Sequence, residues 1–537
     1  MRSTPILHLL ALTVFVTIAQ ARDPYPRQDG LDIEHYVFRV ELNDTTDRIS
    51  GEAYITIRFT KPVPSFFLDL AGPGPDGSGM TVRSVYAGEQ VLRFSQSDDR
   101  VMITLAKSAE AGERITIAIR YDGIPRDGLI ISKNKFGDRT FFADHWPDRG
   151  HQWLPCIDHP SDKASLQWVV VAPAHYQVIA TGRKVEETSL PKGRKLTHYS
   201  ERAPVAVKLM AMGAARFSVK EEQPVDTIGQ SIWVFPQNGQ EGFHDFKPGV
   251  SVFRYFQQQI GPFAYEKLAH VQSKTRWGGL ENAGNIFYSE GSVTGSRPLD
   301  HLIAHEAAHQ WFGDAVTESD WHHVWLSEGF ANYFANLYFE YTFGFESFKA
   351  EMTKERERVI QYYRKNPNPV VDTTILDINK VLNTNVYQKG CWVLHMLRRE
   401  IGDEAFWKGI RSYYARYRNG NVLTPNFQQE MEQAAGRDLR PFFDQWVYRG
   451  GHPKLRVTWK GKSANSRIEL RIDQEQAQAF RFPLKVRFQL AGGGTWDQVV
   501  TMESRQQTLT LRPPGKVVSV ILDPDGDLLF EGSATAQ

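Results

Sequence analysis

The sequence predicts a multidomain α+β chain: an N-terminal β-sheet domain, a mainly helical central domain and a small C-terminal β-sandwich. Three observations carry this. At 537 residues the chain exceeds what one ordinary core organises. In its first and last portions apolar residues alternate with polar ones, the period of a half-buried strand. Between them the apolar period lengthens to that of an amphipathic helix, and Gly450-Gly451 marks the return to alternation.

The elements follow in chain order. Arg2, an apolar run from Ile6 to Ile18 and the small-residue site Ala19-Gln20-Ala21 have the layout of an export leader over residues 1–21. The mature protein is therefore expected to begin at Arg22 and to be exported, to the periplasm or the extracellular space. The run is too short for a transmembrane helix, and no later stretch reads as a membrane span. Over 22–205, Tyr36, Phe38, Val40 and Leu42 alternate with polar partners, as do Ala53, Ile55, Ile57 and Phe59, then Ile115, Ile117 and Ile119. The Gly/Pro-rich stretch Ala71 to Gly79 reads as a surface loop within this domain. From 206 to 450 the pattern predicts helices over Leu299 to Phe312, Val324 to Tyr341, Trp392 to Arg399 and Phe406 to Tyr417. Over 451–537 strands are expected around Leu455, Val457 and Trp459, then Ile468, Leu470 and Ile472, and over Leu484 to Leu490 and Val517 to Leu522.

Charge and cysteine content exclude several function classes. With 63 basic and 62 acidic residues the net charge is +1, which gives no electrostatic case for nucleic acid or an anionic membrane as partner. Cys156 and Cys391 are the only cysteines and fall in different predicted domains, so two buried free thiols are expected and a closed thiolate metal site is not. No Ser, His and Asp arrangement for covalent catalysis is recognisable.

The chemistry-bearing motif is His305-Glu306-Ala307-Ala308-His309, followed after eighteen residues by Glu328 in Trp325-Leu326-Ser327-Glu328-Gly329. Positions four apart lie on one helix face, so His305 and His309 can direct their imidazoles at one ion, with Glu328 as third ligand. Three protein ligands and an open position are what a catalytic zinc requires. Glu306 then points past the metal, placed to take a proton from water. The bland alternative makes the histidines satisfied interior groups and Glu328 a first-turn carboxylate favoured by the helix dipole. His322 and His323 fit no ligand spacing and are read as structural.

This pattern resembles the gluzincin aminopeptidases of the aminopeptidase N family, which includes the leukotriene hydrolases. Three further segments share the resemblance. Trp277-Gly278-Gly279-Leu280-Glu281-Asn282-Ala283 is similar to the family's Gly-x-Met-Glu-Asn motif, with Leu280 for Met. Val386-Tyr387-Gln388-Lys389-Gly390 is similar to its Tyr-Glu-Lys-Gly segment, with Gln388 for Glu. Trp153-Leu154-Pro155-Cys156-Ile157-Asp158-His159-Pro160 is similar to its Phe-Pro-Cys-x-Asp-Glu-Pro signature, with His159 for Glu and His151 where an Arg is common.

The resemblance implies a thermolysin-like central domain, one zinc ion per chain, and removal of amino-terminal residues from peptides carrying a free amine. It implies that Tyr387 donates a hydrogen bond to the developing oxyanion, whereas the residue alone reads as a core aromatic. It implies that Glu281 pairs with the substrate ammonium, and that Gly278, Gly279, Leu280 and Asn282 border an extended peptide; the local alternative is a tight turn with a solvated Glu. Tyr288 is either a wall of the first side-chain pocket or a core aromatic. Two rival functions are an endopeptidase or epoxide hydrolase on the same site and a catalytically dead peptide-binding scaffold. Glu281 argues against the endopeptidase, Leu382 five residues before Tyr387 disfavours the epoxide hydrolase, and retention of Glu306 with Tyr387 argues against decay. By the same resemblance many relatives carry a further helical domain beyond the sandwich, and the expectation for this sequence is that it stops at the sandwich.

Overall fold

The computed structural model describes residues 22–297, 300–461 and 467–537. The predicted leader and Leu299, the first apolar residue of the predicted metal-binding helix, lie outside the described residues. The N-terminal portion is built on an eight-stranded sheet. Its central strand Leu31–Glu41 pairs in parallel with Ala164–Pro173 and antiparallel with Ile49–Phe59, which in turn pairs with Arg114–Ile124. The alternation dictates which face is covered: Tyr36, Phe38, Val40, Ala53, Ile55, Ile57, Phe59, Ile117 and Ile119 are all fully buried, and polar neighbours face outward. Residues 71–78 carry no strand, as expected, and at Gly79 (φ +102) a Cβ would lie 2.0 Å from the carbonyl oxygen of Gly72. The short strand Met212–Ala215 joins Gln177–Ala180 and Arg139–Ala143 in a separate four-stranded sheet.

The central portion departs from expectation at its start. Before the helices comes a five-stranded sheet, ordered Ser218–Val225, Ile228–Val234, Lys267–Ser273, Asn285–Ser289, Gly279–Leu280. Its inner strands are buried on both faces, so Leu268 to Ser273 and Asn285 to Tyr288 carry no period-two signal. The helices appear where the apolar period places them: Asp300–His309, Trp325–Phe343, Gly390–Ile401 and Asp403–Tyr417. Trp325–Phe343 is the axis of this region, buried without interruption from Trp325 to Tyr338 and packed against Asp300–His309 and Gly390–Ile401. Among the described residues no helix is long and apolar enough to cross a membrane.

The C-terminal portion has a four-stranded and a three-stranded sheet whose buried residues include Val457, Leu470 and Ile472 on one and Leu484, Val486 and Phe488 on the other. It is tied to the helices by Arg399 and Asp527 at 3.0 Å and by His395 Nε2 against the Gly526 carbonyl at 3.1 Å. At the opposite end of the chain, Asp23 is buried. Its backbone N–H donates to Asp320 Oδ2 (3.1 Å), and its Oδ2 accepts from the Trp321 N–H (2.9 Å), His159 Nε2 (3.0 Å) and Arg27 Nη2 (3.0 Å). Burial opposes the charged carboxylate, but these donors, His159 foremost, hold it well below the usual range. Asp23→Ala leaves the buried Trp321 N–H unpaired and is expected to destabilise the fold by about 1–3 kcal/mol, read as a lower urea midpoint at unchanged slope.

Candidate active site

His305 and His309 lie one turn apart on Asp300–His309, with Nε2 atoms 3.1 Å from each other. The first turn of Trp325–Phe343 brings Glu328 across from them, its Oε2 3.2 Å from His309 Nε2 and 3.5 Å from His305 Nε2. The donor atoms of these three residues all lie within 4.8 Å of one another. Glu328 Oε2 is buried without a well-aligned hydrogen bond, and the two imidazole Nε2 atoms crowd against it and against each other. Two imidazoles and one carboxylate converging on a common point fit a divalent transition metal with an open position.

A second layer fixes the imidazole orientation. His309 Nδ1 lies 3.0 Å from Ser327 Oγ and 3.2 Å from the Phe312 carbonyl, which favours the proton on Nδ1 and leaves the Nε2 lone pair free. Gly313 makes this approach possible: at its φ of +116 a Cβ would stand 2.2 Å from Ser327 Oγ. Neither Ser327 nor Gly313 is marked by ligand spacing, because both act through tertiary contacts.

Glu306 is buried beside the metal group, against the backbone of Gly279, where a Cβ would fall 2.3 Å from its Oε1. The space that the missing side chain leaves at Gly279 is thus taken up by the carboxylate of Glu306. Gly278 is open, with only a Leu302 methyl at 3.9 Å. Leu280 is buried and pairs with Phe287 at the sheet edge, and Asn282 is buried with its Nδ2 unpartnered. Glu281 is 6% exposed and its Oε1 has no hydrogen-bond partner. Its backbone is clamped by Gln310, the residue that follows the metal helix, whose Nε2 donates to the Glu281 carbonyl (2.8 Å) and whose Oε1 accepts from the Gly284 N–H (2.8 Å). Gln310 too escapes sequence reasoning, since nothing local distinguishes it.

Tyr387 sits on a π-helical turn, Asn385–Lys389, and its ring stacks on His305 with centroids 6.2 Å apart. Tyr288 resolves to the core: it is fully buried and its hydroxyl meets His270 Nδ1 at 2.9 Å. His322 and His323 have the structural roles expected of them, pairing with Asp320 (3.1 Å) and Thr424 Oγ1 (2.8 Å). Cys156 and Cys391 are free and buried. The small cleft, about 50 Å³, is walled by Trp146, Trp277 and Leu382 opposite the charged groups.

Three carboxylates, Glu281, Glu306 and Glu328, crowd the cleft. Burial raises the pKa of Glu306 and Glu281, the latter opposed by His309. Burial pushes His305 down to about 4. At His309 the same burial is outweighed by the carboxylates, Glu328 first, so that it rises to about 10. Glu328 is held low by the two imidazoles despite its burial. A cation bound among them would favour the charged forms of Glu306 and Glu281 against this burial. Lys208, whose charge acts on Glu281, is committed elsewhere: its Nζ is 2.5 Å from Glu318 Oε1 and lies over the rings of Trp321 and Trp146.

Comparison with known proteins agrees with this geometry. The Peptidase M1 N-terminal domain model matches residues 33–206 and the Peptidase family M1 domain model matches residues 245–446, together well over half of the chain. The chain belongs to the M1 peptidase family. It is 22% identical to glutamyl aminopeptidase of Rattus norvegicus over 520 residues and 24% identical to leucyl aminopeptidase of Saccharolobus solfataricus over 481. These alignments take in 90% and 85% of this chain but only 54% and 57% of those proteins, so the M1 chain spans about half the length of these relatives. Among solved structures, the M1 zinc metallopeptidase from Deinococcus radiodurans superposes with a TM-score of 0.69 at 25% identity, covering 79% of this chain and 95% of that one.

Proposed function

We propose that this chain is an exported, zinc-dependent aminopeptidase that hydrolyses the first peptide bond of peptides bearing a free amino terminus. The observation that carries the reading is the coexistence of two things in one cleft: the His305, His309 and Glu328 donors, and the partnerless buried carboxylate of Glu281. A metal site alone would serve many hydrolases, but a buried, unpaired carboxylate beside it needs a cation, and a substrate ammonium supplies one. The aminopeptidase names of the relatives and the zinc in the name of the Deinococcus enzyme support the same assignment.

In this mechanism His305, His309 and Glu328 would hold the zinc. When bound, zinc supplies Lewis acidity that polarises water and the scissile carbonyl. Glu306, made more basic by burial, accepts the proton of the attacking water and returns it to the departing amine. Glu281 fixes the ammonium and with it the register of the first peptide bond. Tyr387 keeps its proton, since burial and the neighbouring carboxylates push its pKa up, and so donates a hydrogen bond to the oxyanion. Export rests on the leader pattern of residues 1–21.

The deciding experiment is hydrolysis of matched aminoacyl amides, free and N-acetylated, before and after chelation and zinc restoration. Strong preference for the free-amine form, with turnover lost on chelation and restored by zinc, is expected. Cleavage of the acetylated form at a comparable rate would overturn the assignment in favour of an endopeptidase, and zinc binding without turnover in favour of a binding scaffold. Tyr387→Phe is expected to lower kcat by about 10²–10³-fold at unchanged zinc content. A drop in zinc content instead would reassign the residue to holding the site together.

A further inference from the structure

A cavity of about 430 Å³ lies where the central helices meet the C-terminal sandwich, within the range of about 300–1,000 Å³ typical of small-molecule sites. It shares no lining residue with the zinc cleft. Helix Gly390–Ile401 lends it Met396, helix Arg440–Trp446 lends it Phe442 and Trp446, and the sandwich lends it Phe482 and Leu528. Four of these five side chains are buried, and Phe442 is partly so. The Trp446 ring lies 5.0 Å from Phe480 and 6.5 Å from Phe442, so the wall is aromatic as well as apolar. Such a wall gives nothing to a small hydrated ion, whereas an aromatic body gains both by leaving water and by meeting the rings.

The charged groups at its margin decide the polar end of the occupant. Each acid there already has partners. Asp527 pairs with Arg399 (3.0 Å) and Glu400 with Arg437 (2.8 Å). Asp523 accepts the N–H of Asp527 on Oδ1 (2.8 Å) and that of Leu528 on Oδ2 (3.2 Å), with Arg356 at 3.5 Å. Two of the three cations are also taken, Arg399 by Asp527 and Lys485 by Asp525 (2.5 Å) and Asp497 (3.5 Å). Arg481 is different: among the described residues its guanidinium has neither an ion pair nor a hydrogen bond, while its backbone is fixed. The Arg481 N–H donates to Gln445 Oε1 (2.7 Å), and Gln445 Nε2 donates to the Arg481 carbonyl (2.9 Å). Its chain neighbours Phe480 and Phe482 are both buried. One uncommitted cation is thus anchored at the edge of an aromatic cavity whose acids are all engaged. The planar fork of a guanidinium matches a carboxylate with two parallel hydrogen bonds.

We propose that this cavity binds an aromatic carboxylate, its ring against Phe442 and Trp446 and its carboxylate on Arg481. The test is calorimetry on the zinc-loaded full chain with 4-phenylbutanoate, its neutral counterpart 4-phenylbutanamide, and acetate. At least tenfold tighter binding of 4-phenylbutanoate than of either other probe is expected. Arg481 is exposed and so tolerant of replacement, and Arg481→Gln is expected to weaken the acid at least tenfold and to leave the amide unchanged. A carboxylate can also ligate zinc, so the titration is repeated after chelation, with unchanged affinity expected. Absence of binding, equal binding of acid and amide or of acid and acetate, or insensitivity to Arg481→Gln would each overturn the proposal. Loss of binding on chelation would overturn it too, by placing the ligand in the metal cleft.

Discussion

Glu306→Gln is expected to retain its zinc and to lose about 10²–10⁴-fold in kcat, with KM changed far less. The amide has the shape of the carboxylate, so its contact with the Gly279 backbone survives, and Glu306 is not one of the three converging donors. Only the ability to accept a proton is removed. Metal analysis and steady-state kinetics on the same preparation separate the two effects. An active, zinc-loaded variant would refute the role of Glu306 as base, and loss of zinc would make Glu306 part of the metal-binding framework. The same geometry gives Gly279 a share in the chemistry, since any side chain there displaces the base.

How far the site is legible in the sequence depends on whether a residue acts through local spacing or through tertiary contact. His305, Glu306 and His309 are legible because one helical turn fixes their relation, and the alternating strands around Phe38 and Ile55 are legible because one face of the sheet is covered and the other is not. The five-stranded sheet that opens the central portion is not, because strands such as Lys267–Ser273 are buried on both faces and lose the alternation that would reveal them. Ser327 and Gln310 are illegible for a different reason. Their partners, His309 Nδ1 and the Glu281 carbonyl, come from elsewhere in the chain, and a serine or glutamine carries no spacing that announces such a contact. Gly279 is an intermediate case: a glycine is readable as a need for space, but not as space for a carboxylate rather than for a peptide.

Glu281→Ala is expected to lower kcat/KM for free-amine substrates by about 10²–10³-fold while leaving the slow cleavage of N-acetylated ones unchanged, so that discrimination between the two collapses. Removing one partner of a buried charge pair costs about 2–5 kcal/mol, and here the pair exists only when substrate is bound. The free enzyme should therefore be no less stable without the carboxylate, because Glu281 Oε1 is unpartnered and Lys208 is held by Glu318 at 2.5 Å. This opposite response of stability and selectivity distinguishes a binding group from a structural one. Thermal unfolding of the two proteins together with the acetylated-to-free rate ratio tests it. An unchanged ratio would remove Glu281 from substrate recognition, and a large drop in melting temperature would assign it to the fold.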